Sequence, residues 1–140
     1  MAIPSKLTLE VVTPDKLLIR EEVDEVQVPG WEGYLGVLPG HTPLLATLKI
    51  GELWSRKGQD RTYLAVAAGF VEILPDRVTV LAQVAERAHD IGVERAEAAR
   101  RRAEERLARP AVDMDMERAR VALLKSLIRI QVASRARTRV

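Results

Sequence analysis

The sequence predicts an α+β chain in two parts. An N-terminal antiparallel β-sandwich or flattened barrel occupies residues 1–88, and a C-terminal α-helical hairpin occupies residues 89–140. The first part alternates apolar and polar residues with period two between frequent turn signals. The second is a run of strong helix formers with no glycine after Gly92 and a single proline, Pro110. The charge balance changes sign where they meet. Residues 1–87 hold 9 Lys/Arg against 12 Asp/Glu, residues 88–140 hold 13 against 8, and the chain as a whole is +2. Such a break marks a boundary.

In the first part, Leu7, Leu9 and Val11 fall on one face, with Lys6, Thr8 and Glu10 on the other. Val26 and Val28 alternate with Glu25 and Gln27, and Val78, Val80, Ala82 and Val84 repeat the pattern. These are half-buried strands. Thr13-Pro14-Asp15, Pro29-Gly30, Arg56-Lys57-Gly58-Gln59-Asp60 and Leu74-Pro75-Asp76-Arg77 supply turns. Short strands separated by such turns suit a sandwich.

In the second part, helices are expected at about 90–109 and 113–135. Ile91, Ala98, Ala99, Ala103 and Leu107 form a narrow stripe on the first helix, and Asp90 is placed to cap it. Pro110 breaks that helix, and Asp113 or Asp115 caps the next. The second stripe is expected to be Met116, Leu123, Leu124, Leu127 and Ile130/Gln131. Alanine faces approach closely but bury little area. At about 25 cal/mol per Å² the hairpin gains only a few kcal/mol, so it is expected to rest on the sandwich or a partner and to be able to leave it.

Several chemistries are disfavoured. The chain has no cysteine, which removes thiolate and disulfide chemistry, and its two histidines, His41 and His89, do not make a metal site. No apolar run reaches the roughly 18 residues that span a bilayer. The start MAIPSKLTLEVV lacks a signal-peptide pattern, and a soluble cytosolic chain is expected. His41 has no nucleophile or acidic partner at a suggestive spacing, so it reads as a structural or contact residue; a hydrolase built on it is the weakest reading. Gly30, Gly33, Gly36 and Gly40 resemble a phosphate loop at first sight, but Pro39 has no N–H and no helix follows. The stretch GYLGVLPGHTPLL is better read as a glycine-permitted strand crossing that presents Tyr34 and His41 at one end of the sandwich.

The basic second part raises nucleic-acid binding as an alternative. Every aromatic residue lies in the first part, so stacking partners are missing, and Glu94, Glu97, Glu104 and Glu105 interleave with Arg100, Arg101, Arg102, Arg106 and Arg109. Glu97–Arg101 is a favourable i,i+4 pair. After Glu117 only positive charges follow, at 118, 120, 125, 129, 135, 137 and 139, a face suited to an acidic protein surface.

The stretches VPGWEGYLGVLPGHTPLLATLKIGEL (28–53), YLAVAAGFVEILPDRVTVLAQVAERA (63–88) and DIGVERAEAARRRAEERL (90–107) closely resemble the epsilon subunit family of F-type ATP synthases, in order and over nearly the whole chain. The resemblance implies a non-catalytic rotor subunit of the central stalk that couples proton translocation to ATP synthesis. It implies a sandwich bound to the gamma subunit and the c-subunit ring, with Glu32, Tyr34 and His41 as contact residues. It implies a hairpin that meets the alpha and beta subunits and restrains ATP hydrolysis. The location implied is peripheral, through the complex, on the cytoplasmic face of a bacterial inner membrane. No cofactor is required and no metal or catalytic residue is implied. Some members bind a regulatory ATP, and the matching positions here are Glu86, Ile91, Arg95, Ala96, Arg102, Arg118, Lys125 and Arg129. Two departures stand out: Gly92 replaces an aspartate and Lys125 an arginine. Tyr34 also stands where members carry an acidic residue.

Overall fold

The computed structural model describes residues 3–137, with only the backbone of the last of these. The chain divides into two compact units between Glu86 and Arg87.

The first unit contains eight strands: β1 (Leu7–Val12), β2 (Leu17–Val23), β3 (Glu25–Gly30), β4 (Gly33–Val37), β5 (Leu44–Leu48), β6 (Gly51–Lys57), β7 (Asp60–Leu74) and β8 (Arg77–Arg87). Their order is β2-β1-β8-β7-β5-β3-β4, with β6 pairing β3 and β7. The alternation read from the sequence is the alternation of burial. Leu7, Leu9, Val11, Val26, Val28, Val78 and Val80 are buried and meet Leu53, Leu64, Val71 and Ile73 in one core. Two details correct the reading. β1 pairs β8 in parallel, from Thr8↔Arg77 to Val12↔Leu81, so the sandwich is not wholly antiparallel. Pro29 and Gly30 belong to β3, and the turn is Trp31-Glu32.

β7 is long because β6 and β5 pair successive halves of it, while β8 pairs it as well. Its first half pairs β6 from Lys57↔Asp60 to Gly51↔Val66, and its second half pairs β5 from Leu48↔Gly69 to Leu44↔Ile73. The change of partner falls at Ala68 and Gly69, with φ of 57° and 130°. Positive φ at this point redirects the strand as a bulge does.

A charged cluster ties the β2–β3 bend, the β6–β7 turn and the lead-in to β1 together. The Gly58 N–H donates to Asp24 Oδ2 at 2.7 Å, Lys6 Nζ donates to Asp24 Oδ1, and Arg56 bonds Glu25 at 3.0 Å. The Gly58 amide first, then Lys6, hold the Asp24 carboxyl below its ordinary value of 3.8. A depressed folded-state pKa gives stability that is complete above 3.8 and disappears as pH falls through the folded value. Asp24→Asn is therefore expected to lower the urea midpoint at pH 7, with the gap to wild type closing below pH 3.8. A gap that stays constant down to pH 2 would assign the loss to packing instead.

The second unit holds a 3-10 turn (Ala88–Asp90), α1 (Val93–Ala108) and α2 (Met116–Arg137). The helices pack as a hairpin, and the 3-10 turn packs on α2. The seam differs from the expected stripes. Ala96 and Ala103 are buried on α1, and Ala119, Ser126, Val132 and Ala133 on α2, while Leu124 and Leu127 are exposed. Small residues seven apart let the backbones approach, and the leucines are left outside that seam. Asp115 caps α2, accepting from the Arg118 N–H at 3.0 Å. Asp90 does not cap α1; the N-cap is Gly92, with no side-chain bond. The ion pairs on α1 centre on Arg100, which reaches Glu97 at 2.7 Å and Glu104 at 3.4 Å, and no Glu97–Arg101 pair forms among the described residues.

Candidate functional site

The stretch that raised phosphate and catalytic readings forms one rim of the sandwich. Gly30 pairs Gly33 across a two-residue turn, Trp31-Glu32. Gly33 takes φ of 139°, which glycine adopts without strain. A Cβ on Gly30 would lie 2.9 Å from the Gly33 carbonyl oxygen, so the turn is as tight as the backbone allows. The Trp31 N–H donates to the Thr47 carbonyl at 2.9 Å and ties the turn to β5, leaving the indole 71% exposed. Between β4 and β5 lies an open groove of about 520 Å³, lined by Trp31, Glu32, Tyr34, Leu35, Leu44 and Leu45. The Tyr34 hydroxyl overhangs Gly51, where a Cβ would meet it at 3.1 Å and Pro29 at 2.6 Å. Gly51 thus makes room for the ring.

His41 lies in the connection from β4 to β5. Gly40, at φ 85°, donates to the Pro75 carbonyl at 2.7 Å, and His41 N donates to Leu38 O at 3.2 Å. His41 Nδ1 lies 2.6 Å from the Thr42 carbonyl. A carbonyl only accepts, so Nδ1 carries the hydrogen and a neutral ring presents Nε2 as an acceptor.

Glu32 and Tyr34 therefore share one groove, but His41 does not. His41 follows the end of β4, in the connection to β5, and is not among the residues that line the groove. The stretch is not one continuous crossing: Gly33–Val37 form an edge strand that carries Tyr34, and His41 stands in the connection after it. Sequence reasoning missed the apolar part of this surface. Leu45, Phe70, Leu81 and Val84 point outward from β5, β7 and β8. The adjacent pair Leu44-Leu45 was a signal, since neighbours in a strand face opposite ways.

Of the residues matched to a nucleotide site, Glu86 is half-buried on β8 in the first unit, and the other seven lie on the second. Ile91 and Ala96 are buried, Arg95, Arg102, Arg118 and Lys125 are exposed, and Arg129 is half-buried with a partner. Arg139 and the side chain of Arg137 lie outside the described residues. Among the described residues no group of three metal-ligating side chains converges, and no helix is long and apolar enough to cross a membrane.

Residues 6–88 match the family model of the ATP synthase delta/epsilon chain beta-sandwich domain, and residues 89–134 that of its long alpha-helix domain. The ATP synthase epsilon chain of Syntrophobacter fumaroxidans is 48% identical over 130 residues, covering 93% of this chain and 97% of that one. ATP synthase epsilon chain 2 of Syntrophotalea carbinolica is 52% identical over 132 residues, with 93% and 95% covered. A similar fold occurs in the cryo-EM structure of Euglena gracilis mitochondrial ATP synthase, OSCP/F1/c-ring, with a TM-score of 0.81 at 21% identity over 98% of this chain and 84% of that one.

Proposed function

The chain belongs to the ATP synthase delta/epsilon family, and on that premise we propose that it serves as a non-catalytic central-stalk subunit of an F-type ATP synthase. The observation that carries this reading is the match of both domains in order, with relatives 46–52% identical over most of the chain. The alternative of a stand-alone nucleic-acid-binding module has no support in these matches.

The work of such a subunit is mechanical. The rim made by β3, β4 and β5 docks the gamma subunit and the c-ring. Exposed Trp31 and Leu45, with Phe70 on the adjoining β7, supply apolar area, and Glu32, Tyr34 and His41 supply polar contacts. The hairpin is the regulatory element, meeting the alpha and beta subunits through basic side chains and restraining hydrolysis. Its alanine-lined seam gives little apolar burial to hold it in one place. Shifting such an element from 1:99 to 99:1 takes about 5.5 kcal/mol of differential binding, within reach of a few charge-assisted contacts. The complex holds the subunit peripherally, at the cytoplasmic face of the bacterial inner membrane.

Reconstitution with the gamma, alpha and beta subunits tests this. Ending the chain at residue 88 is expected to preserve assembly and raise ATP hydrolysis severalfold. Hydrolysis equal to that of the full chain would remove the regulatory role of the hairpin. Loss of assembly with Trp31→Ala and Leu45→Ala, but not with Leu127→Ala, would support the rim as the dock.

A further inference from the structure

The strand order of the first unit ends in two different edges. β2 closes one end and β4 the other. β2 carries Arg20, Glu21 and Glu22, charges of the kind that keep an edge from pairing with another chain. β4 reads Gly33-Tyr34-Leu35-Gly36-Val37, with no charge and no proline. The devices that protect β2 are missing from it.

The bonding of the neighbouring strands shows which groups of β4 face outward. The Lys49 N–H donates to the Pro29 carbonyl at 3.0 Å, so that carbonyl points away from β4. Pro29 stands opposite Tyr34 and has no N–H of its own. The N–H and C=O of Tyr34 therefore face away from β3, and by the alternation of an antiparallel ladder those of Gly36 do too. Among the described residues no strand pairs this side of β4. The core is open beside it. Leu35 and Val37 share one face of β4, as Leu44 and Leu48 share one face of β5. Val37 and Leu48 are buried, whereas Leu35 is half-buried and Leu44 is 40% exposed along the groove between the two strands.

We propose that β4 is an acceptor edge: a partner docks by laying an extended segment along it, in the groove beside β5. The proposal rests on the docking role argued above for the rim, and continuity with that rim assigns the segment to the gamma subunit. The edge recognises main chain, because Tyr34 and Gly36 offer two N–H and two C=O groups in a row. The groove selects side chains. Every second residue of the incoming strand turns toward Leu35, Leu44 and Ala46 and is apolar. Among the described residues that line the groove Glu32 alone is charged, so a basic residue of the strand lies near the Trp31-Glu32 turn.

The test assembles the full chain with the gamma, alpha and beta subunits and reads amide exchange residue by residue. In the free chain the amides of Tyr34 and Gly36 are expected to exchange fast, and those of Leu35 and Val37, which face β3, slowly. In the complex Tyr34 and Gly36 are expected to slow by at least about tenfold, while a stretch of gamma gains protection at every second residue. Gly36→Pro removes one outward N–H and leaves the bonds to β3 in place, a position where an edge strand tolerates proline. Gly36→Ala keeps that N–H. Nothing lies within 4 Å of the Cβ position, so both variants are expected to melt close to wild type in urea. Gly36→Pro should bind gamma about tenfold more weakly than Gly36→Ala, a difference of about 1.4 kcal/mol. Equal affinity of the two variants would overturn the proposal. Should Gly36→Pro not fold, exchange in the wild-type complex decides: Tyr34 and Gly36 as fast as in the free chain would overturn it too. Slowing of the same amides in the isolated chain as its concentration rises would give the edge to a second copy instead. A chain that forms no complex overturns the docking role and this proposal together, whereas a complex with unprotected Tyr34 and Gly36 overturns the proposal alone.

Discussion

Gly69→Ala is expected to abolish folding of the first unit or to lower its stability by about 2–6 kcal/mol, the sum of a strained backbone and an overpacked contact. At φ 130° an L side chain is strained wherever it points. Here it points into the neighbouring strand: a Cβ would fall on the Leu81 carbonyl oxygen and lie 3.0 Å from the Ala82 Cα. These are backbone atoms of β8, so no rotamer change relieves the overlap. Opening the β7–β8 pairing would in turn disturb β1, which pairs β8 in parallel. With a whole domain worth about 5–15 kcal/mol, a loss of this size approaches the total. Gly36→Ala is the matched control. It lies in β4 with φ outside the left-handed region and nothing within 4 Å of its Cβ position, so it is expected to change stability by less than about 0.5 kcal/mol. Urea melts followed by tryptophan fluorescence separate the two. Equal midpoints for Gly69→Ala and wild type would mean that β7 changes partner by some route other than this bend.

The same bend explains what could and could not be read in advance. Leu7, Leu9 and Val11 announced β1 because one face of that strand is core and the other water. In Leu64–Ala67 four successive residues are buried, so the alternation vanishes where β7 passes between partners. The parallel β1–β8 pair has no local signal either, since its strands are about 70 residues apart and joined by no short turn. In the hairpin, the existence of both helices was legible from composition, and Asp115 from its capping position. The faces were not. Hydrophobicity pointed to Leu124 and Leu127, whereas close approach selects Ala119, Ser126 and Ala133, residues that carry little apolar signal. The rim was half legible. Gly30 and Gly33 marked its tight turn, and Glu32 with Tyr34 followed from adjacency, but the strand that sets His41 apart depends on pairing with β3.

That difference in faces yields the second large effect. Ala103→Leu is expected to destabilise the hairpin by about 1–3 kcal/mol, because it inserts three carbons into a seam where the alanine is only 1% exposed. Leu127→Ala, which removes the same three carbons, is expected to cost less than about 0.5 kcal/mol, since the leucine is 44% exposed and alanine is the better helix former. The stripe expected for α2 from hydrophobicity, which includes Leu127, predicts a larger loss for that deletion. Amide exchange of α1 and α2, measured in the full chain, reads the hairpin without relying on the melting of the sandwich. Faster exchange in Ala103→Leu with Leu127→Ala unchanged supports the small-residue seam. Faster exchange in Leu127→Ala alone would show that Leu127 carries the packing. In the assembled enzyme the two substitutions should also separate. On the regulatory role proposed above, a hairpin loosened at its own seam changes the balance between its positions and hence the restraint on hydrolysis, whereas a change at Leu127 acts only where that leucine touches a partner. Ala103→Leu is therefore expected to alter hydrolysis by the complex together with exchange in the free chain, and Leu127→Ala to leave free-chain exchange as it was whatever it does in the complex.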